Sequence, residues 1–325
     1  MEQVRLGASG LHVSRVCLGM MTYGSSEWRP WVLDQERAEP IVRAAVDAGI
    51  TFFDTADIYS DGASEVVTGN LLRPLLKRDE LVLATKLFNQ MTPGPNGRGL
   101  SRKHVLSAID ASLTRLGVDY VDLYQIHRFD PLTPVEETME ALHDVVRAGK
   151  ARYLGASSMF AWQFAKLQHT AERNGWTQFA SMQNHYNLVY REEEREMIPL
   201  CRDQGVGLVP WSPLARGLLA GKRTRAGERR SVRAETDGFQ DALYGRPEDF
   251  DVVDAVEALA AARDVPPAQI ALAWLLHQAS VVPIVGASSG AHIADARAAT
   301  ELSLSPGEIA DLEVPYRPNS VRGHD

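Results

Sequence analysis

The feature that most constrains the fold is an alternation of short apolar runs with amphipathic, helix-like segments along almost the whole chain. VCLGM precedes a helix-like stretch over about Gln35 to Ala48, TFFDTA precedes Glu65 to Leu76, and LVLATK precedes Ser101 to Leu116. VDLYQIH then precedes Pro134 to Ala148, ARYLGAS precedes Ala161 to Asn174, and ASMQN precedes Glu192 to Gln204, after which GVGLVPW and VVPIVG complete eight runs. The runs are short and rich in β-branched and aromatic residues, so they read as buried parallel strands. Gly49, Gly117, Gly149, Gly175 and Gly205 fall where a left-handed residue ends a helix, and Thr133, Pro134 and Glu136 read as a capped helix start. An eightfold βα series is met best by a closed barrel. A doubly wound sheet is the alternative, but no GxGxxG follows any strand.

The expected fold class is therefore α/β: a (β/α)8 TIM barrel forming a single domain over residues 1–325. Residues 3 to 16 pivot on Ala8-Ser9-Gly10 and predict an N-terminal β-hairpin that plugs one end of the barrel. Two long loops interrupt the repeat, Thr22 to Asp34 after the first strand and about Ala215 to Phe250 after the seventh. Both fall on the C-terminal face, where barrel active sites are built. The second carries Arg216, Arg223, Arg225, Arg229, Arg230 and Arg233, a few of them expected to touch an anionic cofactor and the rest to be solvated.

Composition narrows the function class. Lys and Arg number 34 against 42 Asp and Glu, a net charge of -8, which argues against nucleic acid as a partner. Two cysteines, Cys17 and Cys201, without metal-ligand spacing, read as reduced and buried, and no metal is expected. No signal-peptide core and no run of 18 or more apolar residues is present, so a cytoplasmic enzyme without a membrane partner is the expectation. Oligomeric state is left open.

The chemistry lies at the ends of three successive strands, where Asp54, Tyr59, Lys86 and His127 stand. A phenol has a pKa near 10, and a nearby ammonium makes it a stronger acid. Lys86 supplies that charge, Asp54 holds the lysine charged and oriented, and His127 offers a hydrogen bond to a substrate oxygen. With neither a nucleophile nor a metal cluster in this set, proton donation to a carbonyl fits better than acyl transfer. Each residue alone has a blander reading, as a helix cap, a solvated lysine, a rim aromatic or a core histidine. Jointly, on one face of a barrel, they favour chemistry.

The motifs FFDTADIYSDGASE, ATK, DLYQIHR, GASS, MQNHYNL, WSPLARGLLAGK and VPIVGAS occur in an order that resembles the aldo-keto reductase superfamily along nearly the whole chain. IHRFDPLTPVEETMEAL and EVPYRPNSV look most like its bacterial branch related to potassium-channel β-subunits. The resemblance implies a barrel that binds NADP(H) and reduces aldehydes or ketones to alcohols by hydride transfer. It makes Tyr59 the general acid, with Lys86 lowering its pKa, Asp54 pairing with Lys86 and His127 orienting the carbonyl. It assigns cofactor contacts to Met20, Met21, Asp54, Ser157 and Ser158, with Gln183 on the nicotinamide amide and Trp211 stacked on its ring. Ser212, Pro213, Leu214, Arg216, Gly217 and Lys222 fall at the pyrophosphate, and Gly286, Ser288, His292 and Asp295 at the adenosine end. Tyr23, Trp28, Trp31, Phe88 and Phe129 are candidates for an apolar substrate pocket.

The chain departs from the family pattern at Ser158, Ser289 and Ala296. Loss of a fixed cation at Ser289 weakens the case for a 2′-phosphate, so NAD(H) remains possible, with Arg230, Arg233 or Arg297 as compensating cations. The alternative function is a nucleotide-sensing regulatory subunit with little turnover. Retention of His127, commonly Asn in the channel subunits, favours the enzyme.

Overall fold

The computed structural model describes residues 1–324. In chain order it contains β1 (Gln3–Arg5), β2 (His12–Ser14), β3 (Cys17–Gly19), α1 (Gln35–Asp47), β4 (Phe52–Asp54), α2 (Ala63–Leu72), β5 (Val82–Leu87) and α3 (Arg102–Leu116). Then come β6 (Val121–Ile126), α4 (Val135–Arg147), β7 (Ala151–Ser157), α5 (Ala161–Asn174), β8 (Phe179–Gln183), α6 (Met197–Asp203) and β9 (Gly207–Leu208). The remainder holds α7 (Val232–Thr236), α8 (Gly238–Leu243), α9 (Pro247–Arg263), α10 (Pro267–His277), β10 (Ile284–Gly286), α11 (Gly290–Ala299) and α12 (Pro306–Glu313).

Eight parallel strands follow one another in the order β10-β3-β4-β5-β6-β7-β8-β9. The ring is closed by backbone bonds from Leu208 N to the Ser280 carbonyl (2.9 Å), Val282 N to the Leu208 carbonyl (2.8 Å) and Ile284 N to the Pro210 carbonyl (2.9 Å). This is the (β/α)8 barrel that the alternation predicts. Every residue of β4, β5 and β6 is buried, as strands covered on both faces require. The antiparallel β1–β2 hairpin pushes Leu6 and Val13 into a cluster with Cys17, Phe52, Val82, Ala84, Leu123, Val209, Val282 and Ile284. It therefore plugs the N-terminal end. Gly7 makes the close approach possible, since a Cβ there would lie 2.4 Å from the Gly205 carbonyl oxygen, and its φ of +58 suits glycine.

The helices pack outside through the larger apolar cluster. In α4 the buried Val135, Met139, Leu142 and Val145 recur at helical spacing. All five glycines expected to end helices have positive φ, and Gly117 and Gly175 are themselves the C-caps of α3 and α5. Both cysteines are free and buried.

Three boundary expectations are corrected. The capping box at Thr133 and Glu136 does not form: α4 begins at Val135, and the Thr133 hydroxyl donates to Asp130 Oδ2, which also accepts from Leu100 N. The helix expected over Glu192 to Gln204 is broken into a 3-10 turn, Glu192–Glu194, and α6. The cause is the C-terminal segment, because Glu192 accepts from the Tyr316 hydroxyl and from Asn319 N, and Glu193 pairs with His324. The long segment after β9 is not a plain loop, as it contains α7 and α8, and α9 already starts at Pro247. No helix among the described residues is long and apolar enough to cross a membrane.

Candidate active site

Strand register sets the level of the key groups. Asp54 lies opposite Ala84, and Lys86 opposite Gln125, so the lysine is two residues further along the same inward face of β5. Its Nζ reaches back to donate to Asp54 Oδ1 (2.5 Å), to the Thr55 carbonyl (2.8 Å) and to Tyr59 Oη (3.3 Å). Three acceptors thus meet the three donors of one ammonium. Asp54 Oδ2 accepts from Gln125 Nε2 (2.8 Å) and Gln183 Nε2 (3.0 Å). Lys86 is completely buried, which alone would favour its neutral form, but Asp54, Tyr59 and their hydrogen bonds outweigh this and hold its pKa above the ordinary lysine value. The site therefore contains a permanent buried cation against the phenol.

Tyr59 leaves β4 through a turn in which Ser60, Asp61 and Gly62 are all left-handed, with φ of 50, 51 and 91. The first long loop presses against this turn. At Gly24 a Cβ would lie 2.4 Å from Ser60 Oγ, so only glycine permits the approach that brings Trp28 to the Tyr59 ring (6.3 Å between centroids). His127 meets Tyr59 edge-on at 5.8 Å. Burial, then Lys86 and Arg128, push the imidazole well below its usual pKa, so it is neutral at pH 7. Asn89 Nδ2 lies 3.2 Å from His127 Nδ1. An amide nitrogen only donates, which makes Nδ1 the acceptor and leaves the ring proton on Nε2.

A cavity of about 770 Å³ opens above these groups. Asp54, Tyr59 and His127 line it, while Lys86 stands behind them. Of the residues expected at a cofactor, Met21, Ser157, Gln183, Trp211, Ser212, Pro213, Leu214, Arg216, Gly217, Lys222, Gly286, Ser288, His292 and Asp295 also line it. Met20 does not: it is wholly buried in the core, its carbonyl accepting from Ser64. Ser158 likewise stands off the lining, its Oγ accepting from Trp211 Nε1 (2.9 Å). Trp211 stacks on His185 at 4.2 Å, which stacks in turn on Tyr190 at 4.0 Å, so one indole face is already covered by protein.

Trp28 and Trp31 line the cavity, but Tyr23 is a core residue whose hydroxyl donates to the Ala287 carbonyl. Phe88 and Phe129 face elsewhere, the latter packing on Trp162. The six arginines after β9 are all paired; the expectation of solvation holds for the exposed Arg225 and Arg230 and is corrected for Arg216, Arg223, Arg229 and Arg233, which are withdrawn from solvent. Arg216 and Arg233 share the buried Asp237, Arg223 and Arg229 share Asp241, Arg225 bonds Asp251 and Asp254, and Arg230 bonds Glu228.

Sequence reading missed Gln125, Asn89, Asp237 and His185. Gln125 was within reach, since it is two residues before His127 and so shares its inward face. Asn89 and Asp237 lie in irregular segments that no periodicity marks.

A buried lysine that joins a carboxylate to a phenol at the open end of an α/β barrel defines a site for moving a proton to or from a bound oxygen. A family model described as the aldo/keto reductase family matches residues 15–314, and the chain belongs to that family. It is 48% identical to the versiconal hemiacetal acetate reductase of Aspergillus parasiticus, covering 99% of this chain and 98% of that one. It is 45% identical to a putative aryl-alcohol dehydrogenase of Schizosaccharomyces pombe (98% of this chain, 96% of the relative). A putative aryl-alcohol dehydrogenase of Saccharomyces cerevisiae is 41% identical (99% and 98%). These relatives are fungal reductases and dehydrogenases, so the expected placement specifically within a bacterial channel-subunit branch is not what the comparisons show. The chain is an oxidoreductase of carbonyl reduction, from a family that uses nicotinamide cofactors.

Proposed function

We propose that this chain reduces aldehydes or ketones with NADPH, Tyr59 giving the proton, and that residues 1–325 act as one cytoplasmic barrel domain. The single observation that carries the reading is the Lys86 ammonium hydrogen-bonded to both Asp54 and Tyr59 in a fully buried position beside the cavity. The residues present fit the cofactor. Lys222 has no ion-pair partner among the described residues, and His292 lies in its field. A cation at that end supports NADPH over NADH, whereas Arg230 is tied to Glu228 and Arg297 is off the lining. Gln183 and Ser157 would hold the nicotinamide amide, Trp211 its ring and Ser212 to Gly217 the pyrophosphate, while Lys222, expected at the pyrophosphate but acting on His292, would join Ser288, His292 and Asp295 at the adenosine.

Bound NADPH supplies the hydride that the carbonyl carbon gains. Neutral His127 donates from Nε2 to the carbonyl oxygen and fixes its direction. The Tyr59 proton passes to that oxygen as its C=O π pair becomes a lone pair, and the resulting phenolate is held against Lys86. Asp54 keeps the ammonium charged throughout, so the phenolate forms beside a cation that does not itself lose a proton. The phenol is then reprotonated from water.

The test is oxidation of NADPH in the presence of aryl and alkyl aldehydes, followed by the absorbance of the reduced nicotinamide. Tyr59→Phe is expected to lower kcat by about a hundredfold to ten-thousandfold while NADPH still quenches tryptophan fluorescence. An unchanged rate would remove Tyr59 as the acid.

A further inference from the structure

The cavity carries a charge that the rest of the protein does not. The chain has a net charge of -8, yet the cations lining the cavity are Arg29, Arg37, Arg128, Arg216, Lys222 and Arg233, against only Asp54 and Asp295. Part of this belongs to the nucleotide end: Arg216 and Arg233 are held by Asp237, and Lys222 acts on His292. Arg29 is placed differently. It comes from the first long loop, its guanidinium lies 4.7 Å from the centroid of the Trp28 ring, and Trp28 is the ring in contact with Tyr59.

Among the described residues Arg29 has no carboxylate within ion-pairing distance, although it is only partly exposed and Glu27 is two residues away. A guanidinium laid on an indole keeps its N–H edges available, and those edges match a carboxylate in bidentate fashion. Trp31 meets Trp28 edge-on at 6.4 Å, so the same loop offers an aromatic wall beside that cation. Arg128, directly after His127, donates to the His127 carbonyl and also lines the cavity. One ring contact from the proton donor stands an apolar aromatic surface, and directly on that surface a guanidinium without a carboxylate.

We propose that the preferred carbonyl substrates are aromatic and carry a carboxylate, the aryl ring lying against Trp28 and the carboxylate bound by Arg29. This rests on the reading of Tyr59 as the proton donor to a carbonyl. The specificity follows from the site, because a neutral aryl aldehyde gains only the ring contact, while an anionic one also gains a charge-assisted hydrogen-bonded pair with a partly exposed guanidinium.

The experiment compares 4-formylbenzoate with its methyl ester as substrates, NADPH as donor, in the full-length protein. The ester is the more electrophilic aldehyde, so electronic activation runs against the expected result. Wild type is expected to show a kcat/KM about tenfold or more higher for the carboxylate, expressed in KM, and to lose much of that preference as salt is raised. Arg29→Gln should collapse the ratio towards one, and Arg29→Lys should keep part of it, since charge remains and the fork is lost. Equal kcat/KM for the two aldehydes, preference for the ester, or a carboxylate preference that survives Arg29→Gln overturns the substrate assignment and leaves carbonyl reduction standing. Reduction of neither aldehyde overturns carbonyl reduction and this assignment together.

Discussion

The ends of β4 to β6 and the segment after β9 hold buried charge in opposite ways. At the first, one ammonium is fixed by Asp54 and Thr55, which strand β4 and its pairing position, and by Tyr59 from the turn that follows. At the second, Arg216 and Arg233 are fixed by Asp237, a residue of the same irregular segment. The first network is rigid with the barrel strands that carry it, whereas the second is autonomous in the sense that its ion pairs close within one excursion of the chain, with Arg233 also lying over Trp31 at 4.3 Å.

Breaking the rigid network should give the largest effect. Lys86→Met leaves Asp54 buried without its cation, so kcat should fall by about a thousandfold and global stability by about 3–5 kcal/mol, read by turnover and urea unfolding. A variant with near-normal turnover would show that the phenol does not depend on this cation. Breaking the autonomous network should act on the ligand more than on the barrel. With Asp237→Ala, Arg216 and Arg233 lose their shared anchor, and the Kd for NADPH should rise about tenfold or more in a fluorescence titration. If cofactor affinity stays put while the whole protein destabilises, the contrast between the two regions fails.

A third test probes a charge hidden beneath the rigid side. Among the described residues Asp57 is buried without a side-chain hydrogen-bond partner, and burial first, then Glu65, push its carboxyl up to about 7. Its unfolded value is about 4, so the folded state holds this proton more tightly. The resulting stabilisation is complete below about pH 4 and is lost as pH rises to about 7. Asp57→Asn should remove that slope, leaving the variant more stable relative to wild type at pH 8 than at pH 5 by up to a few kcal/mol, at about 1.4 kcal/mol per unit. A difference independent of pH would mean that Asp57 is ionised throughout. The smallest effect is expected at Asn89→Ala, which frees the His127 tautomer and should lower kcat/KM by about fivefold. No change there would place the orientation of His127 elsewhere.

What the sequence made legible follows the same division. The barrel, the plug, Asp54 and Lys86 were readable because strand periodicity ties sequence position to an inward face, and His127 because it directly follows such a strand, whereas Tyr59, in a turn beyond β4, was picked out by the motif it belongs to. Irregular backbone has no such period. Asp237 and Asn89 gave no signal, Met20 and Tyr23 were indistinguishable from lining residues although they pack in the core, and the broken helix at Glu192 depended on contacts from residues more than a hundred positions away. The arginines after β9 were visible as charge, but the partners of Arg216, Arg223, Arg229 and Arg233, Asp237 and Asp241, come into place only with α7 and α8.

The hairpin at the floor of the barrel has a consequence for traffic. Leu6 and Val13 close that end, so nothing enters through the floor, and Gln183 and Asp54 lie deep and almost inaccessible in the cavity that Trp28 also lines. Any ligand reaching them has to come from the opposite, C-terminal end. A molecule seated against Gln183 therefore has to pass the long loops on the way in and again on the way out.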